Sequence, residues 1–176
     1  MNNYYAGIGS RTPPENILQE MTKLGSILEE KGFTLRSGNA SGSDQAFAKG
    51  VKTNAQIWLP WGNFQIEFRR AHPDHNYRNI EDTDLAAWTS IDEFHPSPNS
   101  LSIVGKYFMA RNYRQIVGKK QSNSKFVICW THDGTDVGGT GQAMRIAKSL
   151  SIPIINMYEF DTAEKVIDHL EIWENL

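Results

Sequence analysis

At 176 residues, with 39% hydrophobic and 22% charged side chains, the chain has the composition of an ordinary globular protein, long enough for one buried core and short for two domains. A formal net charge of −2 excludes the overall basic character of a nucleic-acid binder and leaves that role to a local patch. The lone cysteine, Cys129, excludes an intrachain disulfide framework and sits inside an apolar run, where a thiol is buried and inert. No apolar stretch approaches the ~20 residues that span a bilayer. Met1-Asn2-Asn3-Tyr4-Tyr5 lacks the charged and apolar regions of a signal peptide, so a cytoplasmic protein without membrane contact is expected.

Tyr4–Ile8 is a short strand candidate that ends in Gly7-Ile8-Gly9-Ser10-Arg11-Thr12-Pro13-Pro14. Thr12 reads as the N-cap of the following helix and Pro13 or Pro14 as a first-turn residue. Ile17, Met21, Leu24 and Leu28 give that helix one apolar face, and Gly32 stops it. Phe33–Arg36 is a second, very short strand that runs into Ser37-Gly38-Asn39-Ala40-Ser41-Gly42-Ser43-Asp44. A small-residue helix starts near Ser43, with Ser41 or Ser43 as its cap, and Ala55–Leu59 is the third strand. The middle, 61–97, holds Trp61, Phe64, Phe68, Trp88 and Phe94 among many charges. It reads as a less regular insertion with short helices around 64–71 and 83–94. Its His72 and His75 have helical spacing, but Pro73 interrupts it and no further ligand cluster accompanies them, so no metal site is expected.

Asn99–Gly118 predicts a longer helix or helix pair. Phe126–Trp130 is an apolar run of buried-strand length, and His132, Asp133 and Gly138-Gly139-Thr140-Gly141 follow it. A helix, an apolar run at Ile152–Ile155 and a last helix over Asp161–Trp173, capped by Asp161, complete the chain. This alternation predicts an α/β fold: a Rossmann-like parallel sheet with helices on both faces, in one domain over 1–176. In such sheets ligands bind beyond the C-terminal strand ends, near the point where strand order reverses. The turns after the first, second and fourth predicted strands all lie at such ends.

The small residues of these turns let backbone approach a phosphate, and a helix start offers free N–H groups to an anion. Gly7-Ile8-Gly9 is an incomplete dinucleotide fingerprint, but Arg11 beside it suits phosphate recognition. Asp44 at a helix start interacts with the helix dipole; beside a ribose it could also hold a hydroxyl or assist bond cleavage. By spacing alone, Arg111 and Arg114 read as a solvated helix face. His132 and Asp133 project where a ribose-binding or catalytic residue would stand, although such turn residues usually bond local backbone. A Walker lysine motif and a G-x-S-x-G nucleophile elbow are both absent from the sequence.

Taken together, Tyr5–Arg11, Ser37–Asp44, Phe108–Gly118 and Gly138–Gly141 resemble, in order, four segments of the SLOG superfamily, which includes DprA-like DNA-processing proteins and LOG phosphoribohydrolases. The first is similar to the V-G-S-R turn of DprA, the second to S-G-x-A-x-G-x-D, and the third to F-x-x-R-N-R-I-I-A-G. The fourth is similar to the glycine turn shared across the superfamily. The resemblance implies a Rossmann-like nucleotide pocket built from Gly9, Ser10, Arg11, Ser37, Gly38, Asn39, Ser41, Asp44, Arg111, Asn112, Gly138, Gly139, Thr140 and Gly141. It also implies homo-oligomerisation. LOG enzymes carry a glutamate after their glycine turn; here Gln142-Ala143-Met144-Arg145 follows Gly141 and no acid is present. Asp44 and Asp133 are then the candidates for N-glycosidic cleavage, and neither cofactor nor metal is expected. The preferred ligand is a nucleotide or nucleotide-derived signal, bound by a sensor or cleaved by a nucleoside-monophosphate glycosidase. The alternative is DprA-like binding of single-stranded DNA. In that case Arg11, Lys49, Lys52, Arg111, Arg114, Lys119 and Lys120 would form a basic rim, and Trp61 and Tyr113 would stack bases.

Overall fold

The computed structural model describes residues 3–174, so the reading of Met1 and Asn2 lies outside the described residues. In chain order the strands are β1 (Tyr4–Gly9), β2 (Thr34–Ser37), β3 (Ala55–Leu59), β4 (Asn76–Asn79), β5 (Val127–Trp130) and β6 (Ile154–Asn156). The helices are α1 (Glu15–Glu30), α2 (Ser43–Gly50), α3 (Ile66–Ala71), α4 (Leu85–Phe94), α5 (Ile103–Ile116), α6 (Gly138–Ser149) and α7 (Ala163–Glu174). All six strands are parallel, in the order β4-β3-β2-β1-β5-β6. The order therefore reverses between β1 and β5, where Gly9 lies beside Trp130. This is the Rossmann-like α/β fold that the alternation predicts.

Side chains that alternate along a strand feed both layers. Tyr5 packs into the cluster formed with Met21 and Leu24 of α1, Phe47 of α2 and Val166 of α7. Its neighbour Ala6 faces the other way, toward Ile116 of α5 and Ile146 of α6. A third cluster joins Trp58 of β3 to Ile91 of α4 and Met109 of α5. The α1 and α2 helices meet where side chains are missing. A Cβ on Gly50 would lie 1.9 Å from the carbonyl oxygen of Thr22, and one on Gly25 would lie 2.4 Å from that of Phe47. Among the described residues no helix is long and apolar enough to cross a membrane.

The caps differ from expectation. Pro14, not Thr12, occupies the N-cap position of α1. The reason is the Pro-Pro pair: each proline disfavours helical dihedrals in the residue before it, so the helix opens only at Glu15. Gly42, with φ of +84°, replaces Ser41 or Ser43 at the start of α2. At α7 it is Thr162 whose hydroxyl accepts from the N–H of Lys165 (3.3 Å), while Asp161 pairs with the Lys165 ammonium. The middle of the chain supplies α3, α4 and the edge strand β4, which no apolar alternation announces. Asn76-Tyr77-Arg78-Asn79 is mostly exposed, as an edge strand can be, and backbone pairing with β3 alone defines it.

Arg114 shows how this region is tied down. It is buried and donates to both carboxylate oxygens of Asp84, at 2.5 and 2.7 Å, while Asp84 also caps α4. Burial alone would raise the Asp84 carboxyl, but the hydrogen bonds and charge of Arg114 outweigh it and hold the group below its ordinary value. A depressed folded-state pKa stabilises the fold above the unfolded value and loses that effect as pH falls. Asp84→Asn is therefore expected to cost roughly 3 kcal/mol in urea denaturation at pH 7, the scale for breaking a buried pair. The gap to wild type should narrow below about pH 4, where an unperturbed aspartate begins to protonate.

Candidate functional site

Three turns meet at the strand-order reversal because the peptide groups of one of them bond to the other two. The Ser10 N–H donates to the Trp130 carbonyl (3.0 Å), joining the β1 turn to the end of β5. The Ser10 carbonyl accepts from both the N–H (3.1 Å) and the hydroxyl (2.8 Å) of Ser43, joining it to the start of α2. Close approach demands glycine: a Cβ on Gly42 would lie 2.3 Å from the Arg11 carbonyl oxygen.

Above this junction lies a cavity of about 430 Å³, within the ~300–1,000 Å³ usual for small-ligand sites. Of the residues expected to bind, Gly9, Ser10, Arg11, Asp44, Arg111, Asn112, Gly138, Gly139 and Thr140 line it. Ser37, Gly38, Asn39, Ser41 and Gly141 do not. Ser37 donates its hydroxyl to the Gly7 carbonyl (2.6 Å), and Asn39 bonds the Phe64 carbonyl (3.0 Å). Ser41 is exposed. Gly141 leaves room for the Asp136 carbonyl, which a Cβ would meet at 2.0 Å.

The two cavity arginines play different parts. Arg111 is buried, contrary to the solvated face that spacing alone suggests. Its Nη1 donates to the Gly38 carbonyl (2.6 Å) and lies 3.7 Å from the Asp44 carboxylate. Gly38 is the packing partner that makes this possible, since a Cβ there would sit 2.5 Å from the guanidinium. Burial pushes the Asp44 carboxyl up, against the charge of Arg111 and the N–H of Ala40. Burial likewise pulls Arg111 down, against the charge of Asp44. Arg11, by contrast, is exposed and has no hydrogen bond or ion pair among the described residues. Its guanidinium carbon stands 5.3 Å from the Phe108 ring centre, and that of Arg111 is at the same distance.

The α6 helix opens at the cavity with Gly138, at φ of +66°, and no side chain caps it. Its first-turn N–H groups are thus available to an anion. Asn112 donates to the Gly139 carbonyl (3.0 Å) and to Gln142 Oε1 (3.2 Å). Gln142, the residue after the glycine turn, is wholly buried. His132 lines the cavity; Asp133 does not, and its Oδ2 lies 2.8 Å from His132 Nδ1 in an exposed pair. Phe108 and Gln115 are cavity residues that sequence reasoning missed as such. Their positions three before and four after Arg111 on α5 were the available signal.

The cations proposed for a basic rim are dispersed. Arg114 is spent on Asp84, Lys119 pairs with Glu81 (3.1 Å), and Lys49 lines a separate cleft between α1 and α2. Trp61, however, packs against Phe108 at 5.3 Å, beside the cavity.

Fold and cavity together define a Rossmann-like α/β protein with a ligand-sized crevice at the reversal of strand order. Neither a protein-family model nor a curated protein matches the chain. Among solved structures it is similar to DNA processing protein A from Helicobacter pylori, a structure that describes that protein's single-stranded DNA binding mode. The TM-score is 0.63 at 18% identity, over 88% of this chain and 65% of that one, a likeness of fold.

Because Asp44 and Arg111 are mutual partners, removing one leaves the other buried and uncompensated. Arg111→Met is expected to destabilise the fold by on the order of 2–3 kcal/mol. Asp44→Asn added to it should recover part of that loss, as read in a denaturation double-mutant cycle.

Proposed function

We propose that the chain is a SLOG-type protein that holds a nucleotide unit in this cavity, and that single-stranded DNA presents that unit. One observation carries the reading: the exposed Arg11 guanidinium, the uncapped start of α6 and the Phe108 ring line one crevice, with Trp61 packed against Phe108. Arg11 and the α6 N–H groups suit a phosphate, and the rings suit the face of a base. The likeness of fold to a single-stranded DNA binder supports DNA as the source. In this reading Asp44, tied to Arg111 and Ala40, shapes the floor of the site, and the proposal is of binding without cleavage.

A second reading, a free nucleotide, is favoured by the dispersal of the other cations and by the net charge of −2. Fluorescence anisotropy with a labelled oligodeoxythymidylate, in competition with mononucleotides, separates the two. DNA binding through one or two phosphate contacts predicts a shallow salt dependence, a slope of about −0.7 to −1.4 in log K against log salt. Arg11→Ala should weaken binding by roughly 10-fold or more, the scale of a hydrogen bond to a charged group. Absence of binding at low salt, or an unchanged affinity in Arg11→Ala, would overturn the DNA reading. Tight mononucleotide binding without oligonucleotide binding would favour the second.

A further inference from the structure

Arg11 and the first N–H groups of α6 present donors to the cavity, and the Asp44 carboxylate, its acceptor charge, is already held by Arg111 and the Ala40 N–H. Asn112 is different, and its orientation follows from its partners. The Gly139 carbonyl can only accept, so the atom facing it at 3.0 Å is the amide nitrogen. The second amide hydrogen goes to Gln142 Oε1 at 3.2 Å. Both hydrogens are thereby spent, and Oδ1 receives no hydrogen bond among the described residues. Asn112 lines the cavity while being otherwise buried. It therefore offers the site a fixed acceptor, which a phosphate oxygen would be repelled by and a ligand O–H or N–H would satisfy.

The position of this acceptor narrows the donor. Asn112 is bonded to Gly139, inside the proposed phosphate cradle, whereas Phe108, backed by Trp61, lines the part of the crevice suited to a base. The piece of a nucleotide adjoining its phosphate is the sugar. Resting on the nucleotide reading above, we propose that Asn112 is the specificity-determining residue of the site and selects a sugar hydroxyl. Gln142 acts through it as a positioning residue, by holding the amide with its oxygen free. Two sources carry this chemistry: the 2′-hydroxyl of a ribonucleotide, and the free 3′-hydroxyl at the end of a deoxynucleotide strand. An internal deoxynucleotide has neither, so a DNA strand would be held by its 3′ end.

The test compares ligands on the wild-type protein before any substitution. Adenosine and uridine 5′-monophosphates would be titrated beside their 2′-deoxy and 2′,3′-dideoxy analogues. Oligodeoxythymidylates ending in a 3′-hydroxyl or a 2′,3′-dideoxy residue, and oligouridylate beside oligodeoxyuridylate, extend the series. A ligand that supplies the hydroxyl should bind roughly 3- to 10-fold more tightly than its counterpart without it, the size of one net hydrogen bond. A loss on 2′-deoxygenation identifies the ribose as the source; a loss only on 3′-dideoxygenation identifies the strand end. Asn112→Ala should bring the ratio to about 1, and Gln142→Leu, which removes one of the two hydrogen bonds that hold the amide, should lower it. Equal binding of all members of every series overturns the proposal while leaving the nucleotide reading intact, and so does a ratio that survives in Asn112→Ala. Binding of none of these ligands overturns the nucleotide reading and this inference with it. If Asn112→Ala does not fold, the wild-type ratios and Gln142→Leu still decide.

Discussion

The site depends on the peptide groups of one residue. Ser10 donates to the end of β5 and accepts twice from the start of α2, so the turn that leaves β1 is fixed to the two elements on either side of it. Parallel strands cannot be joined by tight hairpins, and each connection returns over a face of the sheet. The C-terminal strand ends therefore collect turns distant in sequence, and at the reversal between β1 and β5 a gap opens between helices on opposite faces. The Ser10 bonds fix the width of that gap. Gly9 and Gly42 allow these turns to approach so closely, since a Cβ at either would collide with a neighbouring turn.

Around this junction the charges divide by burial. Arg111 and Asp44 sit below the surface 3.7 Å apart and offset each other's charge, with the Gly38 carbonyl and the Ala40 N–H as hydrogen-bond partners. Removing both charges together costs the fold less than removing one, because burial penalises an unmatched ion far more than a matched pair. Arg11 carries the same charge, and its field also reaches Asp44, but it is exposed and makes no hydrogen bond or ion pair among the described residues, so it can turn to a ligand. Phe108 packs near both guanidiniums and gives the free one an apolar surface against which to rest. The result is a buried, paired floor with Arg11 as the exposed arginine of the cavity lining among the described residues, beside a helix start that also attracts anions.

Much of this was readable before any fold was in view. The spacing of Ile17, Met21, Leu24 and Leu28 marked α1, because a helix that packs on a sheet must show one apolar stripe. Ala55–Leu59 marked β3 to the residue. The glycine turns after β1, β2 and β5 were visible as runs of small residues following apolar ones. The strand β4 was not, since an exposed edge strand needs only backbone pairing and its four residues carry no apolar alternation. The Thr12 cap was misjudged because two prolines delay the helix, a steric effect that a capping preference does not contain. Arg111 and Arg114 were misjudged because helical spacing places residues on a face but does not say what lies opposite.

Sequence alone thus determined the layers, the parallel class of the sheet and which turns would lie at the C-terminal ends of its strands. These follow from local rules: apolar periodicity, strand length, and glycine where backbone must approach backbone. Tertiary structure decided which charges were spent and which were free, that Asn112 offers an oxygen and not a nitrogen, and that Lys49 and Lys119 stand away from the crevice. Those outcomes depend on partners 27 to 73 residues away along the chain, such as Gly139 for Asn112 and Gly38 for Arg111. No local pattern encodes such distances, because long-range pairing is settled only when the helices close on the sheet.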